Sequence, residues 1–331
     1  MPVGVPPPPL PAAATRGAWT LAIELAALRL NYSGMQTERA AERRSSRHRS
    51  TALRAALVLV LAAALLPLAG AEPAESVRSE SWDYAPTVQA IAGHFTGTVG
   101  TVVPMGDSIT YANPAGAWAR AGAGRNADEL ALARWMHAEA NDHSNGWWLA
   151  ANDQPSNRSW TAASGITAAE YLAGGYHGLP SLADLLTAHK PQLALILLGT
   201  NDLKHGIAAP AYLAAMERIM RACIDAGAVP VVSSVLPTSW AGADAVSAYN
   251  DGLYHLAERL RLPFLDLHGE FLRLRPGESW KGTLISDDGA HPTAAQSAGP
   301  ASPDNLRACG FLAKCYFQCR KVGEIKERMK W

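Results

Sequence analysis

The chain carries Gly106-Asp107-Ser108 directly after the run Val99 to Met105. Gly-Asp-Ser is turn chemistry, and the β-branched residues before it read as a buried strand. A serine at the carboxyl end of a parallel strand sits where open α/β sheets place reactive groups. Its hydroxyl attacks a carbonyl only if a base takes the proton and donors await the oxyanion. The loop Asp287-Asp288-Gly289-Ala290-His291-Pro292 supplies a base. Asp288 and His291 stand three residues apart, so the carboxylate can bond the imidazole and fix its tautomer. Asp287 could substitute, but the three-residue spacing favours Asp288. The candidate donors are the backbone N–H groups of Ser108 and Gly165 and the amide of Asn201. Alone, each piece reads as a turn, a helix cap or a surface loop. Together they form a set, three of whose members directly follow strands.

The elements that must position these residues alternate between strand and helix. Short strands are expected at 99–103, 160–164, 193–198, 229–235 and 264–267. Leu193 to Leu198 is apolar throughout, the mark of a strand buried on both faces. Helices are expected at 127–138, 167–173, 180–189, from Pro210 to Gly227, at 243–261 and at 304–329, with a loop at 275–303. Pro210 suits a first helical turn and Gly227 a stop. This alternation gives an α/β fold, a mainly parallel sheet of five strands with helices on both faces.

The blocks Gly106-Asp107-Ser108, Gly165, Gly199-Thr200-Asn201-Asp202 and Asp288-Gly289-Ala290-His291 resemble the SGNH (GDSL-type) hydrolase superfamily over about residues 98–295. The resemblance implies a flavodoxin-like three-layer α/β/α sandwich and no metal or organic cofactor. It implies a serine esterase with Ser108 as nucleophile, His291 as base and Asp288 as orienter. The implied oxyanion hole is Ser108 N–H, Gly165 N–H and the Asn201 side chain, with Gly106, Asp107, Gly199 and Asp202 as motif support. The sequence departs from that pattern in a long segment between the first two blocks and in the loop and helix after His291. No Gly-x-Ser-x-Gly elbow occurs, which disfavours the ordinary α/β-hydrolase fold.

The chain of 331 residues has globular composition and zero formal net charge. Eight arginines against three glutamates give residues 1–71 a charge of +5, so residues 72–331 sum to −5. The body is mildly acidic, and nothing suggests a nucleic-acid partner, which would need a basic face. The arginine-rich stretch after Met35, the apolar run Ala55 to Leu66 and Ala69-Gly70-Ala71 are the parts of a secretory signal peptide. The expected organisation is an extension at 1–34, a signal peptide at 35–71 cleaved after Ala71, an N-terminal arm at 72–97 and a hydrolase domain at 98–331. The protein is then secreted or periplasmic, with no stable membrane insertion once cleaved. The alternative is an uncleaved anchor, for which the apolar run is short against the ~20 residues a spanning helix needs.

The segment 111–160 concentrates Trp118, Trp135, Trp147, Trp148 and Trp160. It reads as an ordered insertion beside the site, its rings serving packing or sugar binding. Cys309, Cys315 and Cys319 fall at core spacing in the last helix. Free Cys packs as a small hydrophobe, although a bridge from Cys223 to one of them suits an exported protein. His205, after the third block, reads as a loop histidine. The leading expectation is an exported serine esterase acting on O-acyl, above all acetyl, groups of carbohydrate. Its rivals are a lipid or aryl esterase of the same fold and a non-catalytic carbohydrate-binding domain.

Overall fold

A computed structural model describes residues 77–140, 146–151 and 154–331. The expected signal peptide and extension, together with Asn141, Asp142, Asn145, Asn152 and Asp153, lie outside the described residues. Four short runs of apolar residues form one parallel sheet: β1 Val102–Gly106, β2 Leu193–Leu197, β3 Val229–Ser233 and β4 Phe264–Leu265. They lie side by side in that order, with Gly106 opposite Leu197 and Val232 opposite Phe264. Every residue of the four strands is buried, which explains their unbroken apolar character.

The expected second strand at 160–164 is a correction: it shrinks to one parallel bridge between Gly106 and Ala162 on the outer edge of β1. The sheet therefore has four strands rather than five. Pro104 explains the loss. Its missing N–H falls on the edge where a fifth strand would need a donor. Thr161 uses its hydroxyl instead, donating to the Pro104 carbonyl at 2.8 Å, while Tyr171 Oη donates to the Thr161 carbonyl at 2.7 Å. Pro230 in β3 likewise removes a donor where the two-residue β4 falls short. The bridge places the chain first on one side of β1 and then, at β2, on the other. That reversal is the switch point of a flavodoxin-like order, and Ser108 lies at it.

The helices in chain order are α1 Ala85–Ala92, α2 Ser108–Tyr111, α3 Ala117–Ala121, α4 Ala127–Trp135, α5 Gly146–Leu149, α6 Ala168–Ala173, α7 Leu182–His189, α8 Thr200–Lys204, α9 Ala209–Asp225, α10 Ala243–Leu260, α11 Leu267–Leu274, α12 Pro303–Ala308 and α13 Gly310–Met329. Helices α6, α7, α9 and α10 pack on one another over one face of the sheet. Helices α1, α3, α11 and α12 gather around α13 over the other. Right-handed crossovers account for the division, because the chain reverses direction across the sheet after β1 and again after the bridge. Helix α9 buries Tyr212, Met216, Ile219, Met220 and Cys223 at helical spacing. All described residues belong to one unit, Ala71–Trp331. None of their helices is long and apolar enough to cross a membrane.

Three further segments are defined more closely. The N-terminal arm contains α1, and its Trp82, Tyr84, Val88 and Ile91 are core residues. The last helix breaks at Cys309, whose extended backbone ends α12 and whose sulfur accepts from Leu312 N–H at the start of α13. The insertion at 111–160 is mostly packing: Trp118 and Trp147 are buried, and α5 lies against β1. Trp160 remains 37% exposed. All four cysteines are free and buried, with Cys223 on α9 and the others on the α13 side of the sheet.

Candidate active site

Helix α2 begins where β1 ends, and Asp107 makes that junction. Its carboxylate accepts from Ile109 N–H at 2.9 Å as an N-cap, satisfying one of the first-turn donors. Ser108 is thereby held at the first helical position, half-buried, at the carboxyl edge of the sheet. Gly106 is required by space: a Cβ there would meet the Leu197 carbonyl and Thr110 Oγ1, each at 2.4 Å. Ser108 Oγ lies 2.8 Å from His291 Nε2, although 183 residues separate them in sequence.

The loop that carries His291 is fixed by its own carboxylate. Asp288 Oδ2 lies 2.6 Å from His291 Nδ1, and Asp288 Oδ1 accepts from Ser286 Oγ, Ala290 N–H and His291 N–H at 2.9 Å each. Partial burial pushes the Asp288 carboxyl up. The two backbone donors, the imidazole and the serine hydroxyl outweigh it and hold the group at about 2. Asp288 is therefore an anion at neutral pH, facing the ring nitrogen remote from Ser108. Asp287 is exposed and makes none of these contacts. The Asp288–His291 contact is open to water, with 34% of the His291 and 46% of the Asp288 side chain exposed.

Gly199 caps α8, and Asn201 and Asp202 occupy its first turn. Asn201 Nδ2 donates to Asp107 Oδ2 at 3.0 Å and to the Ile166 carbonyl at 3.2 Å. Both Asp202 oxygens accept from Ala168 N–H, at 3.1 and 3.3 Å. The third block thus ties together the neighbours of Ser108 and of Gly165. Gly165 adopts φ +83°, a left-handed conformation suited to glycine, and a Cβ there would lie 2.9 Å from Tyr176 Oη. The backbone N–H groups of Ser108 and Gly165 have no acceptor among the described residues. The Asn201 amide thus links the residue before Ser108 to the residue after Gly165. The amide must exchange one of its two acceptors before it can serve an oxyanion. His205 is the C-cap of α8 and is exposed.

Burial raises both Asp107 and Asp202 to about 6. Lys314, on α13, is a residue that the sequence did not disclose. It is almost wholly buried, and burial pushes its ammonium down to about 8, while Cys315 and Asp107 oppose the shift. Its charge in turn lowers Asp107. A lysine in an amphipathic helix ordinarily signals the solvated face, so periodicity gave no sign of it. Ser286 and Trp240 were also missed: short polar and aromatic residues in loops carry no periodic signal. Among the described residues no group of three His, Cys, Asp or Glu side chains is arranged to hold a metal ion.

No curated protein matches the chain in sequence. In fold it is similar to a carbohydrate esterase family 3 protein from Talaromyces cellulolyticus, at 18% identity and a TM-score of 0.45, covering 70% of this chain and 98% of that one. It is also similar to a GDSL-like lipase from Bacteroides thetaiotaomicron, at 14% identity and a TM-score of 0.40, covering 75% and 99%. The psychrotrophic esterase EstA from Pseudoalteromonas sp. aligns at 16% identity and a TM-score of 0.39, covering 70% and 100%. The sequence profile of the GDSL-like Lipase/Acylhydrolase family matches residues 105–298, more than half of the chain, and that span begins before Ser108 and ends beyond His291. A parallel α/β sheet with that profile across its carboxyl edge makes the chain a member of the GDSL-like lipase/acylhydrolase family, a hydrolase of ester bonds.

Proposed function

We propose that the protein is a serine esterase in which Ser108, His291 and Asp288 act as nucleophile, base and orienting acid. The observation that carries this reading is the continuous chain from Ser108 Oγ to His291 Nε2 at 2.8 Å and from His291 Nδ1 to Asp288 Oδ2 at 2.6 Å. His291 takes the Ser108 proton as Oγ attacks the ester carbonyl. The N–H groups of Ser108 and Gly165 and the Asn201 amide stabilise the tetrahedral oxyanion. His291 then protonates the leaving alcohol, and water, activated by the same nitrogen, releases the acid.

The substrate in this proposal is a small O-acyl group, above all acetyl, on carbohydrate, and the protein meets it after export. Trp118 and Trp147 no longer support that reading, because both are buried. Trp240, half-buried beside His291, and the exposed Trp160 remain as rings that a sugar could reach. Export rests on the basic stretch, apolar run and Ala69-Gly70-Ala71 before the described residues.

The test is a screen of aryl esters of rising acyl length beside acetylated oligosaccharides, with Ser108→Ala and His291→Ala as controls. Each control should lose about 10³ or more in kcat, since members of a triad act as a unit. A fluorophosphonate should add one label per chain, on Ser108. Turnover persisting in Ser108→Ala would defeat the triad. Preference for long acyl chains would replace the carbohydrate ester by a lipid ester.

A further inference from the structure

The loop carrying Asp288 and His291 is well bonded within itself, with Gly289 N–H on the Ser286 carbonyl at 2.9 Å and Ser286 N–H on the His291 carbonyl at 2.8 Å. Those bonds shape the turn but do not set its distance from Ser108. A neighbouring segment, 238–240, between β3 and α10, grips it from outside. Thr238 Oγ1 donates to the Gly289 carbonyl at 2.8 Å, and Ser239 N–H donates to the same oxygen at 2.9 Å. Trp240 Nε1 donates to the Asp288 carbonyl at 2.7 Å. Its ring stands edge-on to the His291 imidazole, centroids 5.8 Å apart and planes at 83°, a preferred aromatic geometry. Lys204 Nζ lies 4.2 Å from the centroid of the same indole. Lys204 is the last residue of α8, whose first turn carries Asn201.

We propose that Trp240 is a positioning residue that clasps the Asp288–His291 loop against Ser108 and, through Lys204, locks that loop to the helix carrying Asn201. The inference rests on the reading of His291 as the base. One indole joins two parts of the machinery that no strand connects. Its N–H fixes the backbone of the orienting acid, its ring braces the imidazole, and a cation from the oxyanion side lies on it. Such a brace has work to do here, because the His291 and Asp288 side chains are themselves about a third to a half exposed. A proton must cross the 2.8 Å gap between Ser108 and His291 as Oγ attacks, and His291 must hold the same place when it activates water in deacylation. Small displacements therefore act on kcat while leaving ground-state affinity alone.

The experiment uses the full-length protein with Trp240→Ala, Trp240→Phe and Lys204→Met, each beside His291→Ala. Trp240→Ala should lower kcat for a small aryl acetate by about 10-fold to 100-fold, the scale of a misplaced reacting group, with KM within about twofold. Trp240→Phe keeps an aromatic edge on His291 and loses only the N–H bond, so its loss should be smaller, about threefold to tenfold. Lys204→Met should fall between the parent and Trp240→Phe. The rate of fluorophosphonate labelling should drop in parallel with kcat. The downfield proton resonance of the His291 Nδ1–H···Asp288 bond should broaden in Trp240→Ala at temperatures where the fold is intact. Near-parental kcat and labelling in both Trp240 variants would overturn the clasp. So would a raised KM at unchanged kcat, which would make the ring a substrate contact, or a kcat deficit that vanishes when rates are normalised to folded protein. If His291→Ala itself retains turnover, the triad reading has failed instead of the clasp.

Discussion

Removing the Asn201 amide separates the oxyanion role from the scaffold role of the third block. In Asn201→Ala the Asp107 carboxylate and the Ile166 carbonyl lose donors now at 3.0 and 3.2 Å. Asp107 is buried, so the lost bond should cost about 1–3 kcal/mol of stability. In a body of this size that lowers Tm by roughly 2–4 °C per kcal/mol. The fall in Tm is expected whether or not Asn201 meets the substrate, and so decides nothing about catalysis. The rate decides. A donor aimed at the tetrahedral oxygen typically contributes about 10²–10³ in kcat, or about 2.7–4 kcal/mol, with little change in KM. The assay is kcat and KM on a small aryl acetate well below the variant's Tm, with a labelling time course on the same preparation. Labelling should be slow yet reach one per chain, because Ser108 and His291 still touch. Asn201→Asp should be at least as impaired at neutral pH, since it faces the Asp107 carboxylate as well as the oxyanion. Part of its folding stability should return as the pH falls and the two carboxyls share a proton. A kcat for Asn201→Ala within about threefold of the parent would refute the oxyanion assignment, because the deleted donor would then have contributed far less than the ~10²-fold minimum.

Asp107 titrates at about 6 in the fold against 3.8 unfolded, so its charge opposes folding above that range. As pH falls from about 6 to about 4, the parent should gain up to about 3 kcal/mol over Asp107→Asn in urea unfolding; a pH-independent difference would contradict the buried carboxylate. Asp288 runs the other way: held at about 2, it adds stability above 3.8 that is lost as pH falls toward 2. Asp288→Asn should lose about 10²–10⁴ in kcat, while Asp287→Asn stays near the parent; the reverse ranking would reassign the orienting acid. Trp147→Ala should destabilise by about 3–5 kcal/mol and affect aryl and carbohydrate esters alike, as a core ring does. Trp160→Ala should leave Tm nearly unchanged, which paired unfolding and kinetic measurements will check.

What could be read in advance follows from how far each signal is local. The apolar run Leu193–Leu197 can only be a doubly buried strand, and Asp288 and His291 lie close enough in sequence to bond without help from the fold. The pairing of Ser108 with His291 needed only that both stand in loops on one edge of the sheet. The strand expected at 160–164 failed because its partner, Pro104, withholds a donor, and a single-strand reading does not see the partner. Trp147 and Trp160 are alike in sequence, and only the packing of α5 on β1 separates a core ring from an exposed one. Lys314 was hidden for the same reason. Its burial is decided by the helices that gather around α13, which the periodicity of α13 alone does not show.

The described chain is also closed end to end. Lys321 on α13 bonds Glu80 at 2.5 Å, Arg328 bonds Asp83 at 2.6 Å, and Tyr84 Oη donates to Glu324 at 2.7 Å. These contacts join the beginning of the described chain to α13, which is synthesised after every other described element. During synthesis the nascent chain therefore carries β1 and its buried-to-be carboxylate Asp107 without their full cover until α13 has been made. The counter-charge of Lys314 arrives more than two hundred residues after Asp107. Assembly of the reactive centre thereby waits on contacts distant in sequence, slow by the rule that distant contacts delay folding. Ribosome-arrested chains ending before residue 310 should not react with fluorophosphonate, and reactivity should appear abruptly once α13 clears the exit tunnel.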